Sequence, residues 1–288
     1  MEMGNKKGKR PEAAKPEVIV GTFSPKEFAD HSNSPYLIRN EPPPYYPRHV
    51  GETHDTIILE NAVRDRQNIL LIGETGTGKS HVLRLIAYRL GLPYVRVQLY
   101  DAISPEDLFG SWIPSGKGGF TWQDGVLTHF MRHGGMFVAD ELNGAKPGMN
   151  FVFHSITDYE RRMTLTQKDG EVIYAHPDFV FCATMNPEYE GTKPLNKALF
   201  DRFGIVLEYD GNPAIKKMFP PELINFKEKI DEAIRAGELE GVCSIRGLQQ
   251  YMRNAELFGK DVAKSILIQK FEGIGKEAVA DIMEAVGL

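Results

Sequence analysis

Short apolar runs alternate with amphipathic stretches through the middle of the chain. Asn68–Ile72, Tyr94–Leu99, Met136–Ala139, Phe179–Ala183 and Ile205–Leu207 are too short for helices and rich in Val, Ile, Leu and Phe, which predicts strands. Between them lie helical patterns. Thr56–Arg66 offers Ile57, Ile58, Leu59, Ala62 and Val63 as one apolar face. Val82–Leu90 stops at Gly91 and Pro93, and Ser104-Pro105-Glu106-Asp107 reads as a helix start with Ser at the N-cap and Pro at N1. Gly125–Met131, Pro147–Tyr159 (burying Val152 and Ile156) and Pro194–Arg202 complete the set. Short strands apolar on both faces and separated by helices predict a five-stranded parallel sheet covered on both sides, an α/β core.

Two segments interrupt that alternation. Gly110–Asp124 is glycine-rich and carries Trp112, Phe120 and Trp122; it reads as an inserted loop or hairpin. Arg162–Tyr174 reads as a β-hairpin turning at Lys168-Asp169-Gly170, where Asp-Gly supplies positive φ. After Gly211 the strand signal ends, and Pro221–Ala236, Ser244–Phe258, Asp261–Phe271 and Lys276–Val286 predict a small all-helical unit. Before Val50 the prolines, above all Glu41-Pro42-Pro43-Pro44-Tyr45-Tyr46-Pro47, favour extended backbone. The expected division is an extended, flexible arm over 1–50, a core over 51–210 and a helical lid over 211–288. From about Val18 onward, a flexible arm and one packing on a neighbouring subunit or presenting a peptide motif are equally open.

Composition narrows the class. The chain has 288 residues, 42% hydrophobic and 25% charged, as in ordinary soluble globular proteins. Its net charge of −5 gives no support for a general nucleic-acid surface. Cys182 and Cys243 lie far apart in apolar surroundings, which predicts two reduced thiols in a reducing compartment. No apolar run approaches the roughly 18 residues of a membrane span. The basic start (Lys6, Lys7, Lys9, Arg10) lacks the apolar region of a secretory signal, so a cytoplasmic location is expected.

The strand Ile69–Ile72 leads into Gly73-Glu74-Thr75-Gly76-Thr77-Gly78-Lys79-Ser80, followed by His81 and a helix. Gly, four residues, then Gly-Lys-Ser is the pattern of a phosphate-binding loop. Glycines let successive N–H groups curl around phosphate oxygens, Lys79 brings a compact positive charge, and the Ser80 hydroxyl suits Mg²⁺; His81, next in the chain, is counted with the loop as a candidate cofactor contact. The blander reading is a glycine-rich turn without a ligand. Asp140-Glu141 follows the third strand, where ligands bind in parallel sheets. There Asp140 would hold Mg²⁺ and Glu141 would activate water; alone, the pair could equally be a solvated turn. Asn186 ends the fourth strand, placed to bond phosphate and water or to start a turn before Pro187. Arg202 and Arg246 carry the planar fork that suits phosphoryl charge, although a single arginine is more often a surface residue.

Taken together, Gly73–Ser80, Glu106-Asp107-Leu108-Phe109-Gly110, Ala139-Asp140-Glu141-Leu142-Asn143, Ala183-Thr184-Met185-Asn186-Pro187 and Leu199-Phe200-Asp201-Arg202-Phe203 resemble the AAA+ ATPases. Within them the chain resembles the MoxR-like group, similar also to CbbQ and midasin-type modules. The resemblance implies a P-loop core with Gly73–Ser80 as Walker A and Asp140 and Glu141 as Walker B. It further implies Asn186 as sensor 1, Arg202 as an arginine finger acting on the adjacent subunit's ATP, and Arg246 as sensor 2. Gly110–Asp124 would be the helix-2 insert and Arg162–Tyr174 the pre-sensor-1 hairpin. The group often has Arg where Gly144 stands here. ATP and Mg²⁺ are the implied cofactors. A homo-oligomeric ring, typically a hexamer, and a protein client, often reached with a von Willebrand factor A-domain partner, are the implied partners. Three rivals remain: a nucleotide-gated scaffold with little turnover, a DNA-associated motor and, less favoured, a metabolite kinase.

Overall fold

In a computed structural model, which describes residues 27–116, 118–145, 147–186, 195–209, 219–273 and 275–288, the predicted apolar runs form one sheet. A small pair, β1 (His49–Val50) and β2 (Thr53–His54), precedes α1 (Asp55–Arg64), β3 (Ile69–Ile72), α2 (Lys79–Leu90) and β4 (Tyr94–Gln98). Next come α3 (Pro105–Phe109), β5 (Gly110–Pro114), β6 (Phe120–Asp124), α4 (Val126–His133), β7 (Gly135–Asp140) and α5 (Pro147–Thr157). The hairpin β8 (Arg162–Leu165) and β9 (Glu171–Tyr174) leads to β10 (Phe179–Met185), α6 (Lys197–Phe200) and β11 (Ile205–Glu208). Among the described residues α7 (Pro221–Arg235), α8 (Ile245–Phe258), α9 (Lys260–Ile268) and α10 (Gly275–Ala285) follow.

The sheet order is β11-β3-β10-β7-β4, and every neighbouring pair is parallel. Strand alternation explains how one sheet feeds two cores. Leu70, Phe137, Ala139, Phe179, Phe181 and Ala183 face one apolar cluster, with α4, α5 and the hairpins. Ile69, Leu71, Met136, Val138, Val180 and Cys182 face the other, under α1 and α2. The inner strand β7 is buried along its whole length, whereas the edge strands β4 and β11 keep exposed positions. Register fixes the site. Ala183 pairs with Ala139 and Met185 with Ile72, so β3, β7 and β10 end at one edge and deliver their following residues side by side.

The insert is a hairpin, β5 paired antiparallel to β6. Helix α3 starts as expected: the Ser104 hydroxyl accepts from the Asp107 N–H, and Asp107 reaches back to the Ser104 N–H. Two expectations need correction. Ile57 points to solvent, and α1 instead buries Asp55 and Thr56 beside Leu59, Ala62 and Val63. Within the arm, residues 27–50 are extended but packed on this chain's own core. Phe28, Ile38 and Tyr45 join the cluster under α1 and α2, Tyr36 joins the other, and the Tyr94 N–H donates to the Tyr36 carbonyl. Proline-rich composition fixed the backbone type but hid the aromatic anchors between the prolines. The arm before residue 27, Pro194 at the start of the expected α6 helix, and the boundary near Gly211 lie outside the described residues.

Helices α7 to α10 enclose their own cluster, including Leu223, Phe226, Leu248, Leu267, Phe271 and Val279. Both cysteines are free and buried, Cys182 in the sheet and Cys243 in the helical unit. Among the described residues no helix is long and apolar enough to cross a membrane.

Candidate functional site

The loop between β3 and α2 is built from glycines for two physical reasons. Gly78 caps α2 in the left-handed region (φ 96°), and a Cβ on Gly73 would collide with the backbone carbonyl of Tyr209. Lys79 is 92% buried, given its 8% exposure, and its ammonium donates to the carbonyls of Gly73 (2.5 Å) and Glu74 (2.7 Å). Burial pulls its proton affinity below the ordinary lysine range, against the opposing charges of Asp140 and Glu141. The loop is thus folded around its own lysine, with the α2 N-terminus behind it.

The strand ends bring the other candidates to this loop. Asp140 Oδ1 accepts from the hydroxyls of Ser80 (2.9 Å) and Thr184 (2.7 Å), and its Oδ2 lies 3.6 Å from Arg96 Nε. Glu141 follows with φ 55°, its N–H donating to the Thr184 hydroxyl (3.1 Å) and its carboxylate accepting from Gln98 Nε2 (2.9 Å). The left-handed backbone at Glu141 is held in place by these contacts on both sides. The Asn186 amide donates to the Thr75 hydroxyl (3.0 Å), and the Asn186 carbonyl accepts from Asn143 Nδ2 (2.8 Å). Gly144 has a local explanation: a Cβ there would sit 2.9 Å from the Leu99 carbonyl oxygen.

Three candidates stand differently. His81 turns to the arm, its Nε2 2.9 Å from the Pro43 carbonyl and its ring stacked on Tyr45. Arg246 lies in the first turn of α8, whose N-cap Ser244 sits against the loop: a Cβ on Gly76 would be 3.5 Å from Ser244 Cβ. Arg202 is at the opposite end of the sheet. Its carbonyl accepts from Asn68 Nδ2 (2.9 Å) just before β3 begins, and its guanidinium lies 3.5 Å from Asp158. The loop starts after β3 ends, so roughly 13 Å of strand separates them.

The sequence reading missed Thr184, Asn143, Gln98 and Arg96. Thr184 had a usable signal, since strand alternation puts it on the same face as Asn186. Gln98 and Arg96 depend on the register of β4 against β7, and Asn143 on β7 lying beside β10, which only the fold supplies. Among the described residues no three His, Cys, Asp or Glu side chains gather as a metal cluster. A cation here would rest on Ser80 and Asp140, with phosphate oxygens and water completing its shell.

Residues 68–203 match the family model described as "AAA domain (dynein-related subfamily)". Protein CbbQ of Hydrogenophilus thermoluteolus is 33% identical over 212 residues, 72% of this chain and 77% of the relative. Protein NorQ of Paracoccus denitrificans is 31% identical over 205 residues, 70% and 73%. The aerobic cobaltochelatase subunit CobS of a Sinorhizobium species is 29% identical over 245 residues, 75% and 73%.

Proposed function

This chain belongs to the MoxR-like AAA+ ATPases, and from that premise we propose that it hydrolyses ATP with Mg²⁺ as a ring-forming motor acting on a protein client. One observation carries the catalytic part: Ser80, Asp140, Glu141 and Asn186 converge on one loop from three adjacent strand ends. The residues suit the cofactors. The Ser80 and Asp140 oxygens are 2.9 Å apart, close enough to bind one hard cation directly or through water. When bound, that cation neutralises charge on the phosphate oxygens. Lys79 exchanges its two carbonyl partners for phosphate oxygens. Glu141, oriented by Gln98 and Thr184, takes a proton from the attacking water, and the Asn186 amide orients that water. Arg246, at the N-terminus of α8, reads the phosphates from the helical lid, taken as residues 211–288.

Arg202 completes the site of a neighbouring subunit. Its place at the far end of β3 supports this, because it cannot serve its own loop from there. A ring follows, a hexamer as in the family. The client would be a metalloenzyme or other complex, reached with a von Willebrand factor A-domain partner; the relative named as a cobaltochelatase subunit fits that class. The free, buried thiols suit a cytoplasmic location.

Glu141→Gln tests the assignment. The variant is expected to bind ATP with near wild-type affinity while hydrolysis falls at least ~100-fold, the usual scale for a lost general base. Wild-type turnover in that variant overturns the role. Phosphate release by the wild-type chain at high concentration separates a motor from a nucleotide-gated scaffold, and DNA-stimulated release would favour a nucleic-acid motor.

A further inference from the structure

We propose that Arg48 is a positioning residue of the phosphate loop: it fixes the Thr77–Gly78 peptide so that the Gly78 N–H faces the nucleotide phosphates. The inference rests on the reading that a nucleotide occupies this loop. Arg48 Nη2 donates to the Thr77 carbonyl at 2.5 Å, across 29 residues of sequence. No peptide bond in the described chain is cis. In a trans peptide the C=O and the next N–H point in opposite directions. Holding the Thr77 carbonyl toward the arm therefore turns the Gly78 N–H toward the loop interior. Gly78 needs such a grip, because a glycine at φ 96° has no Cβ to restrict its rotation and no side chain caps the helix there.

Arg48 is itself rigidly placed. Its backbone N–H donates to Asp55 Oδ1 (3.0 Å), and its carbonyl accepts from the Asp55 N–H (3.0 Å). Asp55 is fully buried, and its Oδ2 accepts from the phenols of Tyr45 (2.5 Å) and Tyr209 (2.8 Å). The guanidinium lies over the Tyr209 ring, 4.5 Å from its centroid. Tyr209 in turn donates its N–H to Ile72, the last residue before the loop, and its carbonyl fills the space in front of Gly73. The platform thus holds both ends of the loop, Gly73 through Tyr209 and Gly78 through Arg48. Arg48 also lies within electrostatic reach of Lys79, adding positive charge to an anion seat.

The test compares the full chain with Arg48→Met, which keeps an aliphatic stem over Tyr209 but drops the donor, and Arg48→Lys, which keeps a donor. Readouts are binding of a fluorescent ADP analogue, and kcat and KM for ATP. Arg48→Met is expected to bind about tenfold more weakly, the scale of one lost charge-assisted hydrogen bond, with the loss in KM and kcat within about twofold. Arg48→Lys should recover most of it. The ADP-induced rise in Tm, read against each variant's own ligand-free value, keeps the test valid for a destabilised variant. Wild-type affinity in Arg48→Met, or equal loss in both variants, overturns the proposal. Failure of the wild-type chain to bind ADP overturns the nucleotide reading instead.

Discussion

At the scale of single residues, the site is set by contacts that leave no trace in local sequence. Gly144 is an example. Its departure from the group's common arginine has a steric cause, the Leu99 carbonyl oxygen 2.9 Å from where a Cβ would be. Gly144→Ala is therefore expected to destabilise the chain by about 1–3 kcal/mol, the scale of overpacking. A denaturant midpoint equal to wild type would refute that. Residues whose chemistry repeats a motif (Lys79, Ser80, Asp140, Glu141, Asn186) were legible in the sequence. Residues that act through distant partners were not. Tyr209 reaches Asp55 across 154 positions and Gln98 reaches Glu141 across 43, and neither spacing carries a pattern. Arg48 stood in a proline-rich stretch whose composition pointed to an arm rather than a support for the loop.

At the scale of elements, the two insertions form one unit. Arg132 of α4 donates to Asp124 at the end of β6 (2.9 Å) and to Glu171 at the start of β9 (2.8 Å). The Trp112 indole donates to the Gln167 carbonyl (2.9 Å), and Lys168 lies over the Trp122 ring while pairing with Glu171 (3.0 Å). The hydrogen bonds from Arg132 and then Lys168 hold Glu171 at about 2, below the usual carboxylate range. A carboxylate whose folded pKa is depressed contributes fully above its ordinary value and loses that contribution as pH falls toward the folded one. The clamp should therefore hold above about pH 4.5 and weaken toward about pH 2. Arg132→Ala is expected to speed amide exchange in both hairpins at neutral pH, with wild type converging on the variant as acid is added. The change in global stability should be about 1 kcal/mol or less, since these ion pairs face solvent. Unchanged exchange in one hairpin would mean that the two move independently. The Asp-Gly signal made the second hairpin visible in the sequence, and the glycines marked the first only as a loop or hairpin; their union was not visible, because it runs through side chains of a helix between them.

At the scale of the whole molecule, the sheet has a division of labour. One edge gathers the loop and the strand-end residues, with the N-cap of α8 leaning on Gly76, while Arg202 stands at the other edge. If Arg202 serves a neighbour, Arg202→Ala should be nearly inactive alone. Mixing it with Glu141→Gln should restore turnover, because some interfaces then pair an intact Glu141 with an intact Arg202. No recovery at any ratio, with mixed assembly confirmed, would remove Arg202 from that role. The alternation of strands and helices made the core architecture readable, since central strands buried on both faces need unbroken apolar runs. The packing of residues 27–50 was hidden because aromatic anchors spaced between prolines follow neither the helical nor the strand period.

The paired indoles of the first hairpin have one more consequence. The chain contains two tryptophans, and both lie there, edge to face with ring centroids 5.6 Å apart. Ultraviolet emission excited through indole, in most proteins an average over scattered positions, is in this one a local signal from the β5–β6 ribbon. Trp112 is 47% exposed, so a partner settling on the hairpin would exclude water from that ring and shift its colour toward the blue. The protein carries, without any label, its own optical report on what touches this hairpin.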